Sequence, residues 1–192
     1  MRSDGAASDE AALVARAQRG DRDAFAALIG RHASAVLTVA WRIVGDRALA
    51  EDAAQETFLA AFRGLSRFRA DARFSTWLYR IAVNKCHDLL RSRAGERQGV
   101  VDDEGGDALA EIADASKTPE DQLLDRQRAT QIDDALARLA PVYREAFVLR
   151  HVEGLSYEEM SDVLGIEGGT LRMRVYKARQ ALSRALAGLA AR

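Results

Sequence analysis

The chain has 192 residues, 48% apolar and 30% charged, with two prolines, one cysteine and a formal net charge of −1. That is room for one large globular domain or two small ones, and helix formers (Ala, Leu, Arg, Glu) point to an all-α fold. The lone Cys86 excludes an internal disulfide, the polar start MRSDGAASDEAA is no secretory signal, and no apolar run approaches the roughly 20 residues that cross a bilayer, so a cytoplasmic protein without membrane insertion is expected.

Turn and cap residues divide the first half into helices. Asp9 is placed to cap a helix that stops at Gly20, a long helix runs from about Arg22 to Gly45, and Asp46 caps a third that ends at Gly64. The loop SRFRADARF follows, then a helix from Thr76 to Arg93 with Ser75 as its cap. On the third helix Glu51, Asp52, Gln55 and Glu56 lie together. Asp52 and Glu56 are like charges four residues apart, which mildly destabilises an isolated helix. A cationic partner would explain them, and so would an interaction with the helix dipole. On the fourth helix Leu78, Ala82, Cys86 and Leu89 form an apolar arc, which makes Cys86 a core thiol. The opposite face carries Arg73, Trp77, Arg80, Asn84, His87 and Arg91, an aromatic and an amide among cations, as a single-strand-binding surface requires.

Residues 95–117 hold seven acids against Arg97 and Lys117, whereas residues 1–94 hold fifteen Lys/Arg against eleven Asp/Glu. The segment GERQGVVDDEGGDALAEIADASK is read as a flexible acidic linker between two helical domains, 1–94 and 118–192. Thr118-Pro119-Glu120-Asp121 is a helix start, Pro141 opens a helix that ends at Gly154, and Ser156-Tyr157-Glu158-Glu159 is a capping box for a short helix stopped by Gly165. The last helix begins near Gly168 and passes Leu186.

A capped short helix, a three-residue turn and a longer basic helix make a helix-turn-helix pattern. At 100° per residue Leu171, Val175, Ala178 and Leu182 face inward, with Thr170, Met173, Lys177, Gln180 and Arg184 opposite them and Arg172, Arg174 and Arg179 along the borders. Such a face suits a major groove. His32, His87 and His151 show no metal-ligand spacing, and neither a metal nor a cofactor is expected.

Together these stretches resemble the extracytoplasmic-function (ECF) sigma factors of the bacterial sigma-70 family. DRALAEDAAQETFLAAFRGL is similar to their polymerase-clamp helix and FRADARFSTWLYRIAVNKCHDLLR to their −10 segment. REAFVLRHVEGLSYEEMSDVLGIEGGTLRMRVYKARQAL is similar to their −35-binding helix-turn-helix. The resemblance implies a dissociable subunit, not an enzyme, that gives RNA polymerase core its promoter choice. It implies that Glu51, Asp52, Gln55 and Glu56 contact the clamp of the largest subunit, and that the C-terminal domain meets the flap region. It implies further that Arg67, Arg69, Arg73, Phe74, Trp77, Arg80 and Asn84 serve the −10 single strand. Thr170, Arg172, Met173, Arg174, Tyr176 and Lys177 would serve the −35 duplex, with an anti-sigma factor as controlling partner. Many relatives have proline where Glu167 stands and serine where Met173 stands, and methionine cannot reproduce a hydroxyl's hydrogen bond. No further domain is expected beyond Arg192. The rival reading is a stand-alone helix-turn-helix regulator, which leaves the acidic helix and the aromatic-cation face unused. An enzyme lacks support, since no phosphate loop or nucleophile constellation is present.

Overall fold

The computed structural model describes residues 3–96 and 130–190, and all the regular structure among them is helical. In chain order the helices are α1 (Ser3–Gln18), α2 (Arg22–Val44), α3 (Arg47–Gly64), α4 (Phe74–Glu96), α5 (130–137), α6 (Pro141–Phe147), α7 (Tyr157–Leu164) and α8 (Gly168–Ala190). A 3₁₀ turn, Leu65–Arg67, follows α3, and a π turn, Val148–Val152, continues α6. The helix start expected at Thr118 and the expected linker lie outside the described residues, except at 95–96, which are the end of α4.

Local chemistry sets most boundaries. Asp21 Oδ1 accepts from the amide of Ala24 and Asp46 Oδ1 from that of Leu49, both at 3.0 Å, so α2 and α3 begin where their caps are. Ser156 Oγ accepts from the Glu159 amide at 3.1 Å while Glu159 Oε2 accepts from the Ser156 amide at 2.8 Å, a complete capping box. Gly45 and Gly165 close α2 and α7 in the left-handed region, at φ 73° and 66°.

Two boundaries differ from expectation. Asp9 does not cap α1, which already runs from Ser3; it lies inside the helix and pairs with Arg31 of α2. Ser75 does not cap α4, because the helix starts one residue earlier at Phe74, whose ring is buried against Phe68. A residue already inside the helix follows the cap position and cannot serve as the cap itself.

The N-terminal region packs α1 to α4 around Leu28, Val36, Val39, Leu78 and Val83, none more than 1% exposed. At 23 residues, α2 is long and apolar enough to cross a bilayer, contrary to the expectation that no such segment exists. Here its apolar stripe is used in packing, with Leu28, Val36, Val39, Ala40 and Ile43 buried against α1, α3 and α4. In the C-terminal region α8 lies on α6 and α7, burying Leu171, Val175, Ala178 and Leu182 as the periodicity predicts.

The two regions are in direct contact. α4 packs on α7, α2 packs on α6 and its π turn, and one buried apolar cluster runs from Leu13 of α1 through Leu149, Met160 and Val163 to Leu171 of α8. A smaller cluster under α8 (Leu136, Leu139, Leu182) belongs to the C-terminal region alone.

The turn between α7 and α8 rests on Gly165, where no atom would contact an added Cβ and only the backbone angle opposes a side chain. Gly165→Ala should therefore cost roughly 1–2 kcal/mol. Thermal unfolding would then fall by roughly 2–8 °C for a protein of this size.

Candidate functional site

Three surfaces meet the requirements for binding. The first is the outer face of α3. Glu51, Asp52, Gln55 and Glu56 are all exposed, and the same face continues through Leu59 and Phe62, 42% and 54% exposed. Glu51 pairs with Arg47 at 3.0 Å and Glu56 with Lys85 of α4 at 3.3 Å. The first turn of α3 holds no acid, and Asp46 already satisfies the helix start, so the dipole does not account for this cluster. A shallow depression between α3 and α4 is lined by Asp52, Gln55, Glu56, Lys85 and Asp88.

The second surface is α4 with the loop before it. Arg67, Arg69, Arg73, Arg80 and Asn84 are exposed. Phe74, which the sequence reading places among the DNA-binding residues, is only 3% exposed. Its ring packs between His32, Phe68 and Trp77, at centroid distances of 5.4, 5.9 and 5.6 Å, so it braces the loop from beneath. Trp77 is half-buried, with its ring 5.1 Å from that of Phe68, and offers only part of its surface. The loop is held from α1: the Gln18 side-chain amide donates to the carbonyls of Leu65 and Phe68 at 3.1 and 2.7 Å. Ala70 lies in the left-handed region at φ 56°, a strained conformation for a residue with a Cβ that such anchoring maintains. Gln18 escapes a sequence reading because its partners are backbone groups some fifty positions away.

Under this surface Cys86 is fully buried, and burial pushes its thiol up to about 12, which makes it inert.

The third surface is α8. Thr170, Arg172, Met173, Tyr176 and Lys177 are exposed and Arg174 is half-buried. The cations are not free-standing. Arg172 lies over the Tyr157 ring at 5.6 Å, a ring that Arg150 also covers at 5.0 Å, and Lys177 lies 5.8 Å from the Tyr143 ring. Gln180 donates to the Tyr176 hydroxyl at 2.7 Å. These contacts restrict long side chains before any ligand arrives.

What the sequence reading missed is the contact between the second surface and the C-terminal region. His87 of α4 pairs with Glu145 of α6, the Tyr79 hydroxyl donates to Glu153, Arg73 pairs with Glu159 at 3.5 Å, and Arg42 of α2 donates to Asp133 of α5 at 3.2 Å. The Glu145 hydrogen bond holds His87 above its ordinary 6.5, with burial and Arg91 opposing and Asp88 assisting. A raised histidine contributes stability that is complete below 6.5 and disappears as pH rises through the raised value. The melting-temperature difference between the native chain and His87→Ala should thus be largest near pH 6 and shrink at pH 9. Equal differences at both would remove the charge from the account.

Comparison with known proteins matches this layout. Residues 28–96 match the family described as Sigma-70 region 2, and residues 129–182 match Sigma-70, region 4. The RNA polymerase sigma-H factor of Pseudomonas aeruginosa is 38% identical over 181 residues, covering 91% of this chain and 92% of that protein. The ECF RNA polymerase sigma factor SigW of Bacillus subtilis is 31% identical, with 92% and 96% covered. Among solved structures, the sigma factor RpoE of Bartonella quintana in complex with the anti-sigma factor NepR superposes with a TM-score of 0.68 at 25% identity, covering 84% of this chain and 96% of that one. CnrH in complex with the cytosolic domain of CnrY also gives 0.68, at 28% identity, with 94% and 98% covered. With two sigma-70 regions in order and full-length relatives at this identity, the chain belongs to the ECF group of the sigma-70 family, the sigma factors of RNA polymerase.

Proposed function

We propose that the three surfaces divide the work of promoter recognition. The exposed acidic stripe of α3 (Glu51, Asp52, Gln55, Glu56) contacts the clamp of polymerase core. The loop and face of α4 receive the −10 single strand: Arg67, Arg69, Arg73 and Arg80 hold phosphates, Trp77 offers a partial stacking edge and Asn84 reads a base with an amide that both donates and accepts. Extruding that base costs a few kcal/mol of stacking, which pocket contacts can offset. Phe74 supports this face from the core and does not touch DNA directly. On α8, Thr170, Arg172, Met173, Arg174, Tyr176 and Lys177 enter the −35 major groove. The working units are residues 1–94 and 118–192 with an acidic connection between them, the second unit also meeting the flap region of core.

The protein on this reading carries no catalytic site of its own and acts in the cytoplasm, where polymerase is. An anti-sigma protein is the proposed controlling partner, since a solved relative was captured with one. The observation that carries the reading is the presence on one chain of an exposed acidic helix face, a cation-and-amide face and a helix-turn-helix. A stand-alone regulator would need only the last.

In vitro transcription with purified core is the test. Core with this chain should initiate at discrete promoters where core alone does not, and the chain alone should bind duplex promoter DNA poorly. Tight, specific duplex binding without core would favour the stand-alone regulator.

A further inference from the structure

Between α1 and the loop before α4 lies a cavity of about 300 Å³, at the small end of the range for ligand sites. Arg80 and Asn84 do not line it, so it is distinct from the base-reading face of α4. Its walls are mainly apolar, with Ala11, Val14 and Ala15 of α1 on one side and Phe68 and Phe74 on the other. Ala70, the residue held at φ 56°, also lines it, and strained positions of that kind cluster at ligand sites. Two polar groups of the wall keep acceptors to spare. Glu10 meets His32 at 2.7 Å through Oε1, which leaves Oε2, and Gln18 spends its amide N–H groups on Leu65 and Phe68, which leaves its amide oxygen. Arg73 supplies a cation at the same cavity. An apolar slot with acceptors inside and a cation beside it fits a nucleobase that carries an amino group and brings a phosphate with it.

The surface around the cavity is cationic. Arg19 and Arg22 flank the α1–α2 turn, Arg63 lies at the end of α3, and Arg67 and Arg69 lie on the loop. All five are exposed, and none has an ion pair or side-chain hydrogen bond among the described residues. Two contacts bring these segments to one end of the region: Gln18 on the carbonyls of Leu65 and Phe68, and the rings of Phe25 and Phe62 at 5.1 Å. The exposed acids here are Asp23 and Asp71, while Asp21 is engaged by Arg16 at 2.8 Å. Since Arg67 and Arg69 already belong to the −10 surface, Arg19, Arg22 and Arg63 prolong its cationic track past the loop.

We propose that the unpaired strand continues beyond α4 over the α1 side of the loop, with one further base in this cavity and its neighbouring phosphates on Arg19 and Arg63. The proposal rests on the reading of α4 as the −10 face. The added base is cytosine, adenine or guanine in preference to thymine. Glu10 and Gln18 accept from an amino group, whereas thymine has none and sets a carbonyl against them.

The test uses the full chain assembled with polymerase core. The probes are fluorescein-labelled duplexes of a promoter on which the holoenzyme initiates. In the short probe only the −10 bases are unpaired by mismatches; in the long probes the bubble extends three nucleotides further to one side or the other. Fluorescence anisotropy should show the long probe of one side binding about tenfold more tightly than the short one. Cytosine should bind about fivefold more tightly than thymine at one of the added positions. Ala11→Leu, at an exposed position of α1 where leucine suits the helix, fills the cavity and should abolish that base preference. Arg19→Ala with Arg63→Ala should lower the salt slope on the long probe by about 1.4, roughly 0.7 for each phosphate contact. Both variants should bind the short probe within twofold of the native chain, which shows that they fold and assemble. Native affinity, base preference and salt slope on the long probes in both variants would overturn the proposal. A short probe bound no better than the fully paired promoter would instead sink the −10 reading of α4, and the extended track with it.

Discussion

Replacing Asp52 and Glu56 by lysine is expected to weaken association with polymerase core by about thirtyfold or more, equivalent to roughly 2 kcal/mol or above, while leaving the fold intact. Both carboxylates are exposed on α3. The native contact that is lost is the Glu56–Lys85 pair at 3.3 Å, with Glu56 half exposed, and an exposed pair contributes only about 0–1 kcal/mol. The helix start does not depend on them, since Asp46 caps it. Circular dichroism should therefore be unchanged and a pull-down with core should fail. The effect should shrink at high salt, as expected for exposed charges. Unaltered core binding would leave the acidic stripe without a partner and shift attention to Leu59 and Phe62 on the same face.

Arg172→Ala and Lys177→Ala should each impair promoters that depend on the −35 element, and the manner of the loss identifies the contact. A base-edge contact is worth about 1–3 kcal/mol, and its loss would depend on promoter sequence. A phosphate contact would weaken all promoters alike and reduce the salt slope by about one. Because Arg172 lies over Tyr157 and Lys177 over Tyr143, removing either ring should mimic part of the effect by freeing the cation. Tyr157→Leu keeps the apolar bulk and removes the ring's attraction for both Arg150 and Arg172, so it separates stacking from packing. Footprinting of the −35 region by the holoenzyme measures all three variants. Occupancy unchanged in every one would mean that α8 presents only a solvated surface.

The capped ends and the inward stripe of α8 were legible in the amino-acid sequence because their causes lie within a few residues. Asp46 and Ser156 cap amides three positions on, Gly45 and Gly165 adopt a conformation other residues resist, and Leu171, Val175, Ala178 and Leu182 recur at the helical period. The burial of Cys86 followed from the same periodicity. The acids of α3 were visible as a cluster on one short stretch of helix, and the cations of α4 because they face away from the apolar arc of their own helix. Only tertiary structure decided the rest. Phe74 joins the core because Phe68, Trp77 and His32 arrive around it, and α4 starts ahead of Ser75. Gln18 holds a loop about fifty residues downstream. The pairs His87–Glu145, Tyr79–Glu153, Arg73–Glu159 and Arg42–Asp133 join residues 58 to 91 positions apart. Glu159 is accounted for in sequence by its cap and Glu145 by its place on a short helix, so neither carries a local mark of its partner. A contact between distant segments is set by how two finished surfaces fit, and periodicity within either segment does not encode that fit.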